Sequence, residues 1–151
     1  MEYPGATRYQ HLDNEINDLD TQLEPLVRQA APPSLLARPG VGIDVAGQLL
    51  VTAGDNPDRL HSPAAFAHLC GAAPIPVASG RSSTYRLNRG ADRAANAALY
   101  RIVLCRLRWD PNTRTYRDPK IKEDKTNKGT IRCLKHYTAR EIYNDLRQLT
   151  T

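Results

Sequence analysis

The sequence predicts a mainly α protein: an N-terminal coiled-coil-like helix, then a compact helical domain with a helix-hairpin-helix and a long irregular active-site loop. Three observations lead there. Apolar residues recur at helical spacing over 12–26, 95–107 and 131–149. Ser62-Pro63, Asp92 and Asp110-Pro111 are helix-start signals, each offering a capping oxygen and two of them a proline at the first helical position. No internal repeat and no clear strand pair competes with that pattern.

The first helix is read over residues 11–30. Leu12, Ile16, Leu19, Leu23 and Leu26 are spaced 4, 3, 4, 3 with polar residues between them, which is the a/d seam of a coiled coil. Pro25 is expected to kink or end it. Two to three heptads are marginal alone, so the seam needs a partner helix, from this chain or another copy, or a place on the domain's own core. The stretch Ala30 to Ser34, with Pro32 and Pro33, marks a boundary between a linker helix (1–33) and a domain (34–151).

The domain opens with a short apolar helix, a Pro39-Gly40-Val41-Gly42 turn and a second helix over about 44–53, a helix-hairpin-helix pattern. Gly40 and Gly42 would let backbone approach a phosphate, with the second helix's amides facing it. An ordinary helix connector gives the same pattern. Gly54 is expected to cap the second helix. A polar loop (55–61) precedes a helix from Pro63 that ends at Gly71. Residues 72–91 show no helical period and read as a long irregular loop, with room for a short hairpin. Asp92 caps a helix from 93 to about 108, with Ala95, Leu99, Ile102, Val103 and Leu107 on one face. Asp110-Pro111 starts another helix that Pro119 should break or kink. The last helix covers roughly 130–149, with Ile131, Leu134, Thr138, Ile142, Leu146 and Leu149 as its buried stripe.

Composition narrows the function classes. The 151 residues are 40% hydrophobic and 25% charged, a globular balance for one domain with an appendage. No apolar run approaches the ~20 residues of a membrane helix, and the polar start carries no visible signal peptide. Three widely spaced cysteines, Cys70, Cys105 and Cys133, argue against a disulfide scaffold and for a reducing, cytoplasmic setting. Charge is unevenly placed: residues 1–30 carry net −4, whereas 81–151 carry seventeen Lys/Arg against seven Asp/Glu, net +10. Such a basic half fits a polyanion partner, most often nucleic acid, or a solvated basic surface.

Chemistry concentrates in 74–93. Ser79 precedes Gly80, and Arg81, Arg86, Arg89 and Arg93 follow within fourteen residues. A serine attacking phosphorus needs positioning and guanidinium groups that neutralise phosphoryl oxygens. Asn88 and Asn96 can bond a phosphate or a helix start. The same residues also suit a phosphate-binding loop without a nucleophile. His68-x-Cys70 and Cys133-x-x-His136 offer four zinc-type ligands in an unusual spacing, so no metal is assigned to this chain.

Several motifs in order now resemble a family. PGVG, Ser62…Phe66-Ala-His-Leu-Cys-Gly-Ala-Ala-Pro74, Pro76-Val-Ala-Ser-Gly-Arg81, Tyr85-Arg-Leu-Asn-Arg-Gly-Ala-Asp-Arg93 and Arg132-Cys-Leu-Lys-His136…Ala139-Arg-Glu-Ile-Tyr143 are similar to the C-terminal domain of the IS-one-ten family transposases, bridge-RNA-guided serine recombinases of bacterial insertion sequences. The resemblance covers about 35–147, and the acidic helix resembles the end of that family's coiled-coil linker. It implies that Ser79 attacks a DNA phosphodiester and forms a phosphoserine link; the family often has two serines before the glycine, and here the first is Ala78. Ser82 and Ser83 are substitutes. It also implies an RNase H-like domain with four acidic residues that brings Mg²⁺ to the serine. These 151 residues show no counterpart, so no cofactor is expected in this chain and the chain alone is expected to be inactive.

The leading reading is therefore a DNA-binding, serine-bearing transposase domain, bacterial, cytoplasmic and nucleoid-associated. Its expected partners are DNA, a guide (bridge) RNA, and further copies of itself or full-length transposase subunits. The alternative is a non-catalytic helix-hairpin-helix module or a transposase-interaction fragment, such as a truncated remnant.

Overall fold

In the computed structural model, which describes residues 4–86, 88–122 and 126–150, helix α1 (Pro4–Ala30) continues through Pro25 instead of ending there. Proline forfeits one backbone bond, and tertiary burial beyond it makes up the loss. Val27 is buried, and the amide of Ala31 bonds its carbonyl at 2.7 Å. The contact is close, because a Cβ on Gly47 would stand 3.1 Å from Val27 Cγ2. Only the end of α1 is held this way. Leu23 packs on the core, while Leu12, Ile16, Leu19 and Leu26 are 48–62% exposed. The seam is thus divided between the chain's own core and open surface.

A one-turn helix α2 (Pro33–Leu36) and helix α3 (Ile43–Asp55) flank the PGVG turn. Gly54 lies inside α3 and does not cap it. Asn56 ends the helix, its backbone amide reaching the Ala53 carbonyl and its side chain the Thr52 carbonyl. Helix α4 (Pro63–Leu69) starts where Ser62 Oγ accepts the Ala65 amide at 3.1 Å. Strands β1 (Ile75–Ser79) and β2 (Ser82–Arg86) follow.

Helix α5 (Arg93–Trp109) begins at Asp92, whose Oδ1 accepts the amides of Ala94 and Ala95 at 2.9 and 3.0 Å. The other oxygen, Oδ2, accepts the Thr52 hydroxyl at 2.8 Å, tying the end of α3 to the start of α5. Helix α6 (Pro111–Lys122) includes Pro119, so the expected break there is not made. Asp110 caps α6, and the hydrogen bond from the Thr113 hydroxyl leads the interactions that lower its pKa. Helix α7 (Asn127–Leu146) starts three residues earlier than expected, at a Thr126 cap, and ends in a 3₁₀ turn (Arg147–Thr150). That turn leaves Leu149 half exposed, outside the buried stripe.

The fold is mainly α, with one two-stranded sheet among the described residues. Its core lies where α2, α3, α4, α5 and α7 meet. Leu35, Leu49, Phe66, Leu99, Ile102, Ile142 and Leu146 are fully buried there. An ionic cluster closes one side. Arg38 donates from Nε and Nη2 to both carboxylate oxygens of Asp145 and from Nη1 to Glu141. Arg106 donates to the other Glu141 oxygen and to the Pro39 carbonyl. Four charged side chains thus join the PGVG turn, α5 and α7. Asp145 raises the pKa of Arg38 by hydrogen bonding, against the opposing effect of burial.

Candidate nucleic-acid interface

The segment expected as an irregular loop is an antiparallel hairpin, Ile75 opposite Arg86 and Ser79 opposite Ser82. Its two-residue turn is Gly80-Arg81. Gly80 has φ +60°, and nothing stands within 4 Å of where its Cβ would be. The glycine is there for its left-handed backbone, as two-residue hairpins require, not for space. The turn lacks the Asn-Gly or Asp-Gly signal, and Pro76 argues against a strand, so the sequence left room for a short hairpin without placing its strands. The backbone of Ser79 closes β1 beside this turn. The side chains of Ser79, Ser82 and Ser83 lie outside the described residues.

The four arginines of the segment are all exposed: Arg81 on the turn, Arg86 at the open end of the hairpin, Arg89 in the following turn, and Arg93 in the first turn of α5. None forms an ion pair with a described carboxylate. Asn88 has a structural task. Its amide nitrogen donates to the His68 carbonyl at 2.9 Å and its oxygen accepts the Gly90 amide at 3.1 Å, which fastens the loop to the end of α4. Asn96 works similarly, donating to the Cys70 carbonyl and accepting from Lys135 Nζ at 3.0 Å.

The PGVG turn packs against α5. Gly40 has φ +81°, and a Cβ on it would come 3.0 Å from the Ile102 carbonyl oxygen. The glycine therefore seats the turn against α5. Gly42 is exposed and precedes α3 with extended backbone. The first turn of α3 already holds a carboxylate, Asp44, paired with Arg101.

Sequence reasoning missed the contribution of α7. A cavity of about 570 Å³ opens between the base of the hairpin and α7. Arg86 and Tyr85 border it on one side; Arg132, Lys135, His136 and Tyr137 border it on the other. Burial, then the charge of Arg132, lowers the pKa of Lys135. Burial, then Arg140 and His68, lowers that of His136, whose Nδ1 is buried without a hydrogen-bond partner. These residues lie about 45–60 positions after the hairpin; the RCLKH motif and the Cys133-x-x-His136 pair marked some of them, but nothing in the sequence joined them to the hairpin.

Donors for a cation are sparse. Among the described residues no three His, Cys, Asp or Glu side chains cluster to hold a metal. Asp92, the nearest carboxylate to Ser79 in sequence, already accepts three hydrogen bonds. The described residues thus bring no carboxylate set together for Mg²⁺. Cys70 is buried, and burial with the nearby Asp92 charge pushes its thiol up to about 12, so it stays neutral.

A family model described as the Transposase IS116/IS110/IS902 family matches residues 33–118. Two insertion-element proteins are similar in sequence. One is the IS900 uncharacterized 42 kDa protein of Mycobacterium paratuberculosis, 33% identical over 125 residues, covering 82% of this chain and 31% of that protein. The other is the IS110 uncharacterized 43.6 kDa protein of Streptomyces coelicolor, 34% identical over 112 residues, covering 72% of this chain and 27% of that protein. The chain belongs to the IS116/IS110/IS902 transposase family, and spans under a third of the length of these relatives. No described helix is long and apolar enough to cross a membrane.

Proposed function

We propose that this chain is a DNA-binding transposase domain that contributes Ser79 as the nucleophile of strand cleavage and exchange. The observation that carries this reading is the hairpin. It sets Ser79 beside a left-handed glycine turn, with Arg81 on the turn, Arg86 at its base, and Arg89 and Arg93 just beyond, all exposed. In the step proposed, the serine oxygen forms a bond to phosphorus as one bridging P–O bond breaks. The serine proton leaves to a base and the departing deoxyribose oxygen takes up a proton. The arginines offset charge on the non-bridging oxygens. A base or metal that activates the serine is expected from outside these residues, in the family's acidic domain.

Binding should be dominated by phosphate contacts. Duplex affinity is expected to fall steeply with salt and to discriminate little among sequences. Arg86, Arg89 and Arg93 changed together to alanine should lower the slope of log affinity against log salt by roughly 2–3. Fluorescence anisotropy over a salt series measures this, and an unaltered slope removes the segment from the interface.

Strand exchange also needs more than one serine. The free part of the α1 seam, Leu12, Ile16 and Leu19, fits the same seam of a second copy. Light scattering is expected to give at least a dimer, and Ile16→Asp a monomer. A monomer mass for the unaltered chain at high concentration counts against this assembly. A guide RNA remains within the proposal as a further polyanion for the basic half.

A further inference from the structure

We propose that the cavity between the hairpin and α7 receives a single unpaired nucleotide of the DNA strand that passes Ser79. The inference rests on the DNA-binding reading above and goes beyond it.

Size is the first argument. A volume of about 570 Å³ is that of a sphere about 10 Å across, within the range that holds one small organic ligand. A duplex cannot enter, since its major groove alone is about 12 Å wide.

Chemistry is the second. Arg86, Arg132 and Lys135 supply three positive charges at the rim and wall, and no described lining residue is acidic. Lys135 spends one of its three N–H donors on Asn96 and keeps two for an anion. Arg132 crowds it, a repulsion that a phosphate between them would relieve. The rest of the lining suits a base. Ala72, Ala73 and Pro74 give an apolar part of the lining, and Tyr85 and Tyr137, 71% and 58% exposed, add two accessible aromatic rings to it. Aromatic faces with adjacent cations are the usual means of holding an unstacked base.

Position is the third. Arg86, which lines the cavity, pairs with Ile75, four residues before Ser79 on β1 and therefore on the same face of the hairpin as Ser79. That is roughly 13 Å along the strand, or about four nucleotide steps. One DNA strand can therefore meet the serine and the cavity together.

The test compares two labelled duplexes by anisotropy with the full chain, one fully paired and one carrying a single unpaired thymidine. The unpaired form is expected to bind about tenfold more tightly. Tyr137→Ala should bind both forms equally, while Tyr137→Phe keeps the preference and shows that the ring, not the fold, is responsible. Equal affinity of the unaltered chain for both duplexes overturns the cavity's role and leaves the DNA-binding reading standing. Failure to bind either duplex overturns both. A tenfold gain that survives Tyr137→Ala also overturns the assignment, because the preference then arises elsewhere. A stronger gain with an RNA duplex bearing the same bulge overturns the choice of DNA.

Discussion

Ser79→Ala is expected to abolish the covalent protein–DNA adduct while leaving duplex binding nearly intact. The substitution removes one oxygen from a residue whose backbone position is fixed by the β1–β2 pairing, so the hairpin and its arginines stay in place. Serine oxygen is a weak nucleophile at neutral pH without a base or a metal. Asp92, the carboxylate nearest to Ser79 in sequence, is committed to capping α5 and holding Thr52, so the 151-residue chain by itself should bind DNA without cutting it. An adduct is expected once the family's acidic domain and Mg²⁺ are supplied. Trapping on a denaturing gel reads the outcome. Adducts that persist in Ser79→Ala but vanish in Ser82→Ala or Ser83→Ala would move the nucleophile to one of those residues. Cleavage by the chain alone would show that an activating group lies within it.

Asp145→Ala should cost about 2–3 kcal/mol of stability, below the ~3–5 kcal/mol typical of breaking a buried pair. Asp145 is 3% exposed and accepts two bonds from Arg38. Without it Arg38 keeps only Glu141, which Arg106 already shares. The cost is moderated because the Arg38 side chain is 29% exposed and water can replace part of the loss. Asp145→Asn keeps hydrogen-bond acceptance and should cost less. Urea unfolding followed by circular dichroism measures both, and a midpoint unchanged in Asp145→Ala would show that the cluster adds no net stability.

Much of this architecture was legible because short-range physics dictated it. Ser62, Asp92 and Asp110 each cap the helix expected of them, since a side-chain oxygen beside free amides acts locally. The stripe on α5 was correct from Ala95 to Val103 for the same reason. The failures involve distance along the chain. Pro25 does not end α1 because Val27 is buried on Gly47, twenty residues away. Gly54 is not a cap because the helix runs one residue further and Asn56 closes it. The packing of Gly40 against the Ile102 carbonyl on α5 is likewise a contact that spacing alone does not announce. The site divides similarly. Arginines close to Ser79 in sequence could be picked out, whereas Arg132, Lys135 and Tyr137 reach the hairpin only through the packing of α7 against α4 and α5. Long-range placement leaves no periodic trace in a single sequence.

Helix α1 also sets a length and an angle. Its 27 residues extend about 40 Å at 1.5 Å per residue, and only the stretch around Leu23 and Val27 is clamped to α3. A second copy gripping Leu12 and Ile16, as proposed above, would therefore be held at a defined spacing and azimuth from the domain, as on a shaft keyed at one end. Adding one residue between positions 19 and 23 would turn the outer seam by about 100° relative to the clamp, facing it away from its counterpart. Adding seven would lengthen the shaft by about 10 Å and turn it by only about 20°. Length and phase can thus be changed separately, and the molecule should tolerate the second insertion far better than the first.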